Sequence, residues 1–318
     1  MSPSLKLNQI APGASVLVVG AGIMGAGIAQ VAAQAGHTVW LFDAREGAAE
    51  AAHAKLAATL DQLTAKGKLA PQQAAETLAR IQPIRSLAAA AGATLAIEAI
   101  VEALQAKREL LQQLETVLGT EAILATNTSS ISVTALGHGL QRPERLVGMH
   151  FFNPVPLMKL VEVVSGLCTD PEVAEVIFAL AAAWGKVPVH ARSTPGFIVN
   201  RIARPYYAEA LALLQQRAAE PAVLDACLRS AGFRMGPCEL MDLIGHDTNF
   251  AVTQSVFEAN FFDKRYAPSL VQKAMVDAGL LGRKSGRGFY RHDGSALAAP
   301  VADSPQPLPF QAELTVHG

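Results

Sequence analysis

Cysteine is scarce in this 318-residue chain, which contains only Cys168, Cys227 and Cys238. An odd number without Cys-x-x-Cys spacing excludes the disulfide framework of small secreted proteins and argues against a thiolate metal site. We therefore predict three buried free thiols, no bound metal and a reducing, cytoplasmic location.

The chain also lacks an excess of one charge and long apolar runs. Its formal net charge is −1, which gives no reason to expect nucleic acid or an anionic membrane surface as a partner. No apolar run reaches about 18 residues, the length of a membrane-spanning helix, and the N-terminal residues lack the pattern of a secretory signal. With 51% hydrophobic residues, the chain has material for sizeable cores, and its length suits two domains.

Short apolar runs alternate with helical stretches through the first half of the chain. The runs lie at 15–19, 38–43, 94–100, 122–126, 145–151 and 159–164. The alanine-rich segment 45–82 predicts two helices that break where Gly67 and Pro71 interrupt the pattern. This alternation is typical of an α/β fold with a mostly parallel, doubly wound sheet of the Rossmann type, which we expect residues 1–192 to form.

The pattern changes after residue 192, where the chain becomes helical throughout. Helices are predicted at roughly 196–217, 221–231, 247–261 and 268–279. For the first of these, the sequence favours Thr194 as the cap and Pro195 in the first helical position. Residues 193–292 therefore predict a second, all-helical domain. Residues 293–318 contain four prolines and no apolar period, which is typical of a linker-like or disordered tail.

A glycine-rich turn follows the first apolar run. Gly20, Gly22 and Gly25 have the Gly-x-Gly-x-x-Gly spacing of a dinucleotide-binding turn, in which Gly20 permits the tight turn, Gly22 close approach of a pyrophosphate and Gly25 close packing of helix on strand. Glycines also end strands for structural reasons alone. The preceding strand and the following helix favour the binding interpretation, and we expect Ile23 and Met24 to contact the cofactor as well.

Asp43 ends the next apolar run, about 20 residues further on. A carboxylate at that position accepts hydrogen bonds from ribose hydroxyls and repels a 2′-phosphate, which favours NAD over NADP. The neighbouring Arg45 argues in the other direction, because an arginine there could bind a phosphate. The alternative role for Asp43 is to cap the following helix.

A histidine and a glutamate stand in two successive apolar runs. His150 alone is more simply explained as a core histidine, but Glu162 lies among leucine and valine, where a carboxylate is costly to bury unless it is paired. A glutamate that faces a histidine holds one tautomer of the imidazole and stabilises the imidazolium. Alcohol oxidation by NAD needs such a base to remove the hydroxyl proton.

Seven blocks of the sequence resemble the L-3-hydroxyacyl-CoA dehydrogenase family. They are GAGIMGAGIA, IEAIVE, TNTSSIS, HFFNPVPLMKLVEVV, STPGFIVNRI, GPCELMDLIGHD and GRKSGRGFY, in this order between about residues 16 and 290. The segments VSGL, STPGFIVNRIARPYY, LIGHDTNFAVTQSVF and PSLVQ are most similar to the bacterial 3-hydroxybutyryl-CoA and 3-hydroxyadipyl-CoA dehydrogenases, the latter of phenylacetate degradation. Such bacterial enzymes often continue into a further helical module, which the tail would join. Cys238 departs from the bulkier apolar residues common at its position.

The resemblance implies roles for individual residues, which we state as expectations. His150 matches the catalytic base and Glu162 its partner, while Ser129, Asn153 and Asn200 match the neutral groups that orient the histidine and the substrate oxygens. Glu102 and Lys107 match cofactor contacts, shared with Ser129 and Asn153. Thr59 and Lys66, together with Ser129 and Asn200, match the binding site of the acyl-CoA substrate. Family likeness also implies a homodimer.

Two other functions stay open at this point. One is a related dehydrogenase of a free hydroxy acid, and the other is a dinucleotide-binding protein without activity, since a fold alone does not determine function. The acyl group is open as well. A 3-hydroxyadipyl group ends in a carboxylate that needs a cation, for which Arg204 and Arg234 are candidates.

Overall fold

An eight-stranded sheet forms the centre of the first of two units, which comprises Met1–Val199. The computed structural model describes residues 10, 13–119 and 121–292. The strands are β1 (Ser15–Val19), β2 (Thr38–Phe42), β3 (Ile81–Pro83), β4 (Leu95–Glu98), β5 (Ile123–Thr126), β6 (Leu146–Phe151), β7 (Leu160–Ser165) and β8 (Val187–Arg192). The helices are α1 (Ile23–Gln34), α2 (Ala48–Ala65), α3 (Pro71–Arg80), α4 (Leu104–Leu118), α5 (Val133–Leu136) and α6 (Pro171–Ala183).

The sheet is doubly wound, as predicted. Its strand order is β3-β2-β1-β4-β5-β6-β7-β8, so the chain starts in the interior and builds outward in both directions. Successive side chains of a strand point to opposite faces. Val16 and Val18 of β1 accordingly belong to the core that contains residues of α1, α2 and α6, whereas Leu17 and Val19 belong to the core with residues of α4 and α5.

One pairing in the described sheet departs from the parallel arrangement. β6 and β7 run antiparallel, with His150 directly opposite Glu162, and the remaining neighbours pair in parallel. Antiparallel neighbours need no crossover helix between them. The two residues singled out by the sequence are therefore cross-strand partners.

The second unit comprises Asn200–Gly318, and its described part is helical. The helices are α7 (Val199–Gln215), α8 (Pro221–Ser230), α9 (Pro237–Ile244), α10 (His246–Ala259) and α11 (Leu270–Asp277). Two buried aspartates join its segments. Asp225 accepts hydrogen bonds from the backbone N–H of Cys238 and Glu239 and from the hydroxyl of Tyr290.

Asp242 likewise joins separate segments, among them the last residues that the structure describes. It accepts hydrogen bonds from His246 and His292 and from the backbone N–H of Phe289 and Tyr290, at 2.8–2.9 Å. Burial raises the pKa of Asp242, but its hydrogen bonds, first of all those from His246 and His292, together outweigh this effect, and the net pKa is lowered. The carboxylate therefore stays ionised while it binds α10 and the segment near Tyr290.

Several sequence expectations are corrected by the structure. The helix predicted to start at 196 begins at Val199, and α9, β8 and the short β3 were not predicted. The thiols are free, but Cys168 and Cys227 are exposed and only Cys238 is buried. The two compact units divide after Val199, whereas the predicted domain boundary at 192 stays a prediction, and the tail at 293–318 lies outside the described residues. No helix in the described part is both long and apolar enough to cross a membrane.

Candidate functional site

The glycine turn joins the carboxyl end of β1 to the first turn of α1. Gly20 has a φ of +103°, which favours glycine, and a Cβ at Gly25 would overlap the carbonyl oxygen of Gly20. Gly22 is the N-cap of α1 and offers no side-chain cap, and a Cβ on Gly22 would meet no other atom within 4 Å. The helix therefore presents backbone N–H groups to open space, the arrangement that binds phosphate groups.

Asp43 follows β2 and stabilises this turn. Its Oδ2 accepts a hydrogen bond from Ala21 N–H at 2.8 Å, and Arg45 donates to its two carboxylate oxygens. The bonds from Arg45 hold the pKa of Asp43 at about 2. Asp43 does not cap α2, whose N-cap is Gly47.

A cleft of about 490 Å³ borders the Asp43 carboxylate, and this volume lies within the range of small-molecule sites. Phe42, Arg45, Glu50 and Ile84 contribute to its walls. An ionised carboxylate in a cleft, beside an open helix N-terminus, fits the ribose and the phosphates of a dinucleotide.

Two glutamates enclose a buried lysine at the end of β4. Lys107 is 1% exposed, and its Nζ lies 2.5 Å from Oε1 of Glu98 and 3.2 Å from Oε2 of Glu102. Glu98 is itself fully buried and accepts further bonds from Ile100 N–H and the hydroxyl of Thr126. Burial raises the pKa of Glu102, but the charge of Lys107 and the hydrogen bonds from Thr128, Ser129 and Lys107 together outweigh it, and the net pKa is lowered. The three groups form a paired network of net negative charge.

Glu102 organises the turn that contains Ser129. Its Oε1 accepts the backbone N–H of Ser129 at 2.9 Å and of Ser130 at 3.1 Å, and the hydroxyl of Thr128 at 2.6 Å. Ser129 itself is partly buried. Through Glu102, the network at Lys107 thus fixes the backbone conformation of the turn that contains Ser129.

His150 and Glu162 form a buried hydrogen-bonded pair. His150 Nδ1 lies 2.6 Å from Oε2 of Glu162, whose side chain is completely buried. Burial raises the pKa of Glu162, but hydrogen bonds, first of all that from His150, reverse the effect and the net pKa is lowered. An ionised Glu162 accepts a hydrogen bond from Nδ1–H, which leaves Nε2 of the neutral imidazole as an acceptor. The rings of Phe152 and Phe197 lie 4.5 and 5.8 Å from the imidazole, centroid to centroid.

Glu162 has a second role that explains the misplaced helix start. Its Oε1 accepts the backbone N–H groups of Ile198 and Val199, each at 2.9 Å. The residues before them, Gly196 and Phe197, have φ values of +77° and +48°, so the chain turns there and does not continue a helix from Pro195. The cap of α7 thus comes from β7, 36 residues earlier in the chain.

Family models match nearly all of the described chain. The NAD-binding domain of 3-hydroxyacyl-CoA dehydrogenase matches residues 15–194, and the C-terminal domain of 3-hydroxyacyl-CoA dehydrogenase matches residues 196–292. The chain belongs to the 3-hydroxyacyl-CoA dehydrogenase family. The first unit is therefore the family's NAD-binding domain, in agreement with the predicted fold and cofactor.

Individual relatives agree with this family. The chain is 50% identical to a 3-hydroxyadipyl-CoA dehydrogenase of Escherichia coli strain K12 over 96% of its own length, and it spans 65% of that relative's length. It is 43% identical to a "probable 3-hydroxybutyryl-CoA dehydrogenase" of Deinococcus radiodurans, covering 86% of this chain and 99% of the relative. The crystal structure of (S)-3-hydroxybutyryl-CoA dehydrogenase from Ralstonia eutropha is similar with a TM-score of 0.84 and 40% identity, over 87% of this chain and 98% of that one.

The remaining predicted site residues lie on different elements of the chain. Thr59 and Lys66 lie on the exposed side and at the end of α2, with the Thr59 hydroxyl donating to the carbonyl of Lys55. Asn153 is exposed just after β6, before a cis peptide bond to Pro154. Asn200 is partly buried in the first turn of α7, in the second unit.

Sequence reasoning missed two residues of the first unit. Glu98 stands at the end of an apolar strand and carries the same signal that identified Glu162, a carboxylate where burial demands a partner. Asn127 accepts the backbone N–H of Phe151 through its Oδ1 at 2.8 Å and thereby joins the ends of β5 and β6. Nothing in its local pattern separates it from an ordinary turn asparagine.

Proposed function

We propose that this protein is an NAD-dependent dehydrogenase that oxidises (S)-3-hydroxyacyl-CoA to 3-oxoacyl-CoA. The observation that carries the proposal is the buried 2.6 Å contact between His150 and Glu162. It lies at the carboxyl end of β6, on the same edge of the sheet as the glycine turn after β1. Membership of the 3-hydroxyacyl-CoA dehydrogenase family supports the substrate class.

In this proposal His150 is the general base. Its Nδ1–H donates to Glu162, so Nε2 is free of a proton and accepts the one that leaves the 3-hydroxyl. Glu162 then stabilises the resulting imidazolium, because its ionised carboxylate lies at hydrogen-bond distance. NAD, when bound, would supply the hydride acceptor for the carbon that carries the 3-hydroxyl, so that loss of the proton and the hydride gives the carbonyl group.

Other residues are assigned to binding the substrate and the cofactor and to orienting the base. We assign the 3-oxygen to the hydroxyl of Ser129 and orientation of the base and the acyl group to Asn153 and Asn200, since neutral hydrogen-bonding groups position an oxygen without titrating. Glu102 and Lys107, with Ser129 and Asn153, are assigned to the cofactor. The glycine turn with Ile23 and Met24 and the Asp43 carboxylate complete that cofactor site.

The CoA moiety is assigned to Thr59 and Lys66 of α2. Both are exposed, and Lys66 offers the cation that a CoA phosphate needs. We expect Lys66→Ala to raise KM for a CoA thioester at unchanged kcat, whereas Lys68→Ala, at another exposed lysine, serves as the control. A KM that does not respond to Lys66→Ala would favour a free hydroxy acid as substrate.

The reaction itself is tested with acetoacetyl-CoA and NADH by the loss of absorbance of NADH. We expect turnover by the wild-type protein and its loss, by at least a hundredfold, in His150→Gln. Absence of turnover in the wild type across short and medium 3-oxoacyl thioesters, with NAD still bound, would instead favour a dinucleotide-binding protein without activity. Equal turnover by the His150→Gln variant would refute the assignment of the base.

We further propose a cytoplasmic homodimer. The second unit exposes large apolar side chains, among them Ile202, Phe261, Phe262 and Leu270, more than a monomer needs to leave in water. The free thiols of Cys168 and Cys227 are exposed, which suits a reducing compartment. Sedimentation equilibrium tests the dimer, and a monomer at micromolar concentration would contradict it; cell fractionation tests the location.

A further inference from the structure

Arg204 is a cation removed from water within the second unit. It is 4% exposed and lies on α7. Its Nε donates to the carbonyl of Asn200 at 3.0 Å, and its Nη1 donates to the carbonyl of Asn249 at 3.1 Å and to the hydroxyl of Thr253 at 2.8 Å. The guanidinium carbon also lies 4.9 Å from the centre of the Tyr207 ring. Each of these partners is neutral.

The described residues supply no carboxylate to balance this charge. Burial lowers the pKa of Arg204, and the sole charge interaction that opposes this is with Tyr207. Buried charges are normally paired, as Lys107 is with two glutamates and Arg145 with Glu121. Lys186 also binds only carbonyl oxygens, but it does not border the opening at Arg204. An anion beside Arg204 would offset the cost of its burial.

A small opening borders Arg204, and its described lining residues include no carboxylate. Its polar walls include Tyr207, Thr253, Tyr266, Ser269 and Gln272. Their hydroxyl and amide groups add no negative charge beside the guanidinium, and those of Thr253 and Gln272 already donate to Asn249. The enclosed volume is about 10 Å³, close to the space that one water requires, so the opening suits the end group of a ligand at its mouth and not a whole acyl chain.

The spacing on α7 relates Arg204 to the proposed substrate site. Asn200 and Arg204 are four residues apart and therefore lie on one face of the helix, and the Arg204 Nε lies 3.0 Å from the Asn200 carbonyl oxygen. A six-carbon diacid, whose two carboxyl carbons are roughly 6 Å apart when extended, is short enough for its two ends to bind neighbouring residues of this face. Arg234, the other arginine considered, is exposed and needs no anion.

We propose that Arg204 binds the terminal carboxylate of a dicarboxylic acyl group and makes the protein selective for six-carbon 3-hydroxydiacyl thioesters. The proposal rests on the proposed function, in which Asn200 contacts the thioester end of the same acyl group. A four-carbon acyl group ends in a methyl group and would leave Arg204 without an anion.

The test compares two substrates of equal length. kcat/KM is measured with NADH for 3-oxoadipyl-CoA and 3-oxohexanoyl-CoA, which differ only in a terminal carboxylate or methyl group. We expect the wild type to prefer the diacid, and Arg204→Met to reduce that preference about 10- to 100-fold, the worth of a hydrogen bond to a charged group. Arg204→Lys, which keeps the charge, should retain part of the preference, and Arg201→Met, at a partly exposed arginine on the same helix, should retain all of it.

The ratio of kcat/KM for the two substrates is measured in one preparation, so it does not depend on the fraction of a variant that is folded. Calorimetry with the unreactive adipyl-CoA and hexanoyl-CoA gives a second readout, in which the same change should appear in Kd. Equal loss on both substrates, or a wild type without preference for the diacid, would overturn the role of Arg204 and leave the proposed function intact. A protein that binds neither thioester would overturn both.

Discussion

Replacing Glu162 by glutamine keeps the shape of the side chain and removes its charge. The amide oxygen of the introduced glutamine can still accept the N–H groups of Ile198 and Val199, which bind Oε1 of the glutamate. The amide nitrogen then faces Nδ1 of His150, where the carboxylate oxygen lay at 2.6 Å. Because an amide N–H donates, Nδ1 must accept, and the imidazole proton moves to Nε2. The atom that should take the substrate proton then already carries one.

We expect Glu162→Gln to lower kcat strongly and to change the affinity for NAD only slightly. A base held in the wrong tautomer costs about 10²- to 10⁴-fold, which corresponds to about 2.7–5.4 kcal/mol in the activation barrier. The assay is NAD reduction with (S)-3-hydroxybutyryl-CoA, the direction in which His150 accepts the proton, together with calorimetry of NAD. Glu175→Gln is the matched control, because Glu175 forms an exposed pair with His190 at 3.3 Å. A kcat for Glu162→Gln within about twofold of the control, with the fold intact, would refute the reasoning.

The same variant has a signature in the pH dependence of stability. The pKa of Glu162 is lowered in the folded protein from its usual value of 4.5, so its stabilising contribution is complete above that value and is lost as the pH falls through the lowered pKa. The difference in free energy of unfolding between wild type and Glu162→Gln should therefore be constant near neutral pH and shrink below about pH 4.5. Urea unfolding across this range measures it, and a difference that grows on acidification would contradict the ionised pair.

Three further substitutions test the cofactor site. Gly25→Ala places a methyl group against the Gly20 carbonyl, so NAD affinity measured by calorimetry should fall at least tenfold and stability by about 1–3 kcal/mol; unchanged affinity would contradict the tight turn. Asp43→Asn should reduce the preference for NAD over NADP at least tenfold, and the contribution of Asp43 to NAD affinity in the wild type should not vary between pH 5 and 8, since the pKa of Asp43 is about 2. Lys107→Met leaves two glutamates, one of them the buried Glu98, without their cation and should cost about 3–5 kcal/mol in urea unfolding; a cost below about 1 kcal/mol would show that the glutamates take up protons instead.

Local pattern was sufficient for most of the first unit. Apolar runs predicted six strands of the sheet, and the glycine spacing placed the turn between β1 and α1 because both features act within a few residues. Pairing of His150 with Glu162 was predictable because a carboxylate among valines needs a partner. Their roles in catalysis remain predictions.

The misplaced helix start has a physical cause, which is that the capping group is remote in sequence. Thr194 and Pro195 have the pattern of a helix start, but Glu162 of β7 accepts the N–H groups of Ile198 and Val199, so the helix begins three residues later than predicted. Glu98 was overlooked although a carboxylate at the end of an apolar strand already indicates a buried partner, which is Lys107 on the next helix. The exposure of Cys168 and Cys227 cannot follow from residue type, since cysteine preference for the interior is only an average.

The antiparallel pairing of β6 and β7 has a consequence for the order in which the molecule folds. His150 and Glu162 meet across 12 residues, whereas β1 and β4 pair residues such as Val16 and Leu95, 79 positions apart. Loop-closure entropy grows with the logarithm of that separation, so the shorter loop closes at a cost lower by about 1.7 kcal/mol. We expect His150 and Glu162 to approach early from a local hairpin, and the half of the sheet that contains β1 and β4 to assemble only after the long-range crossover has closed.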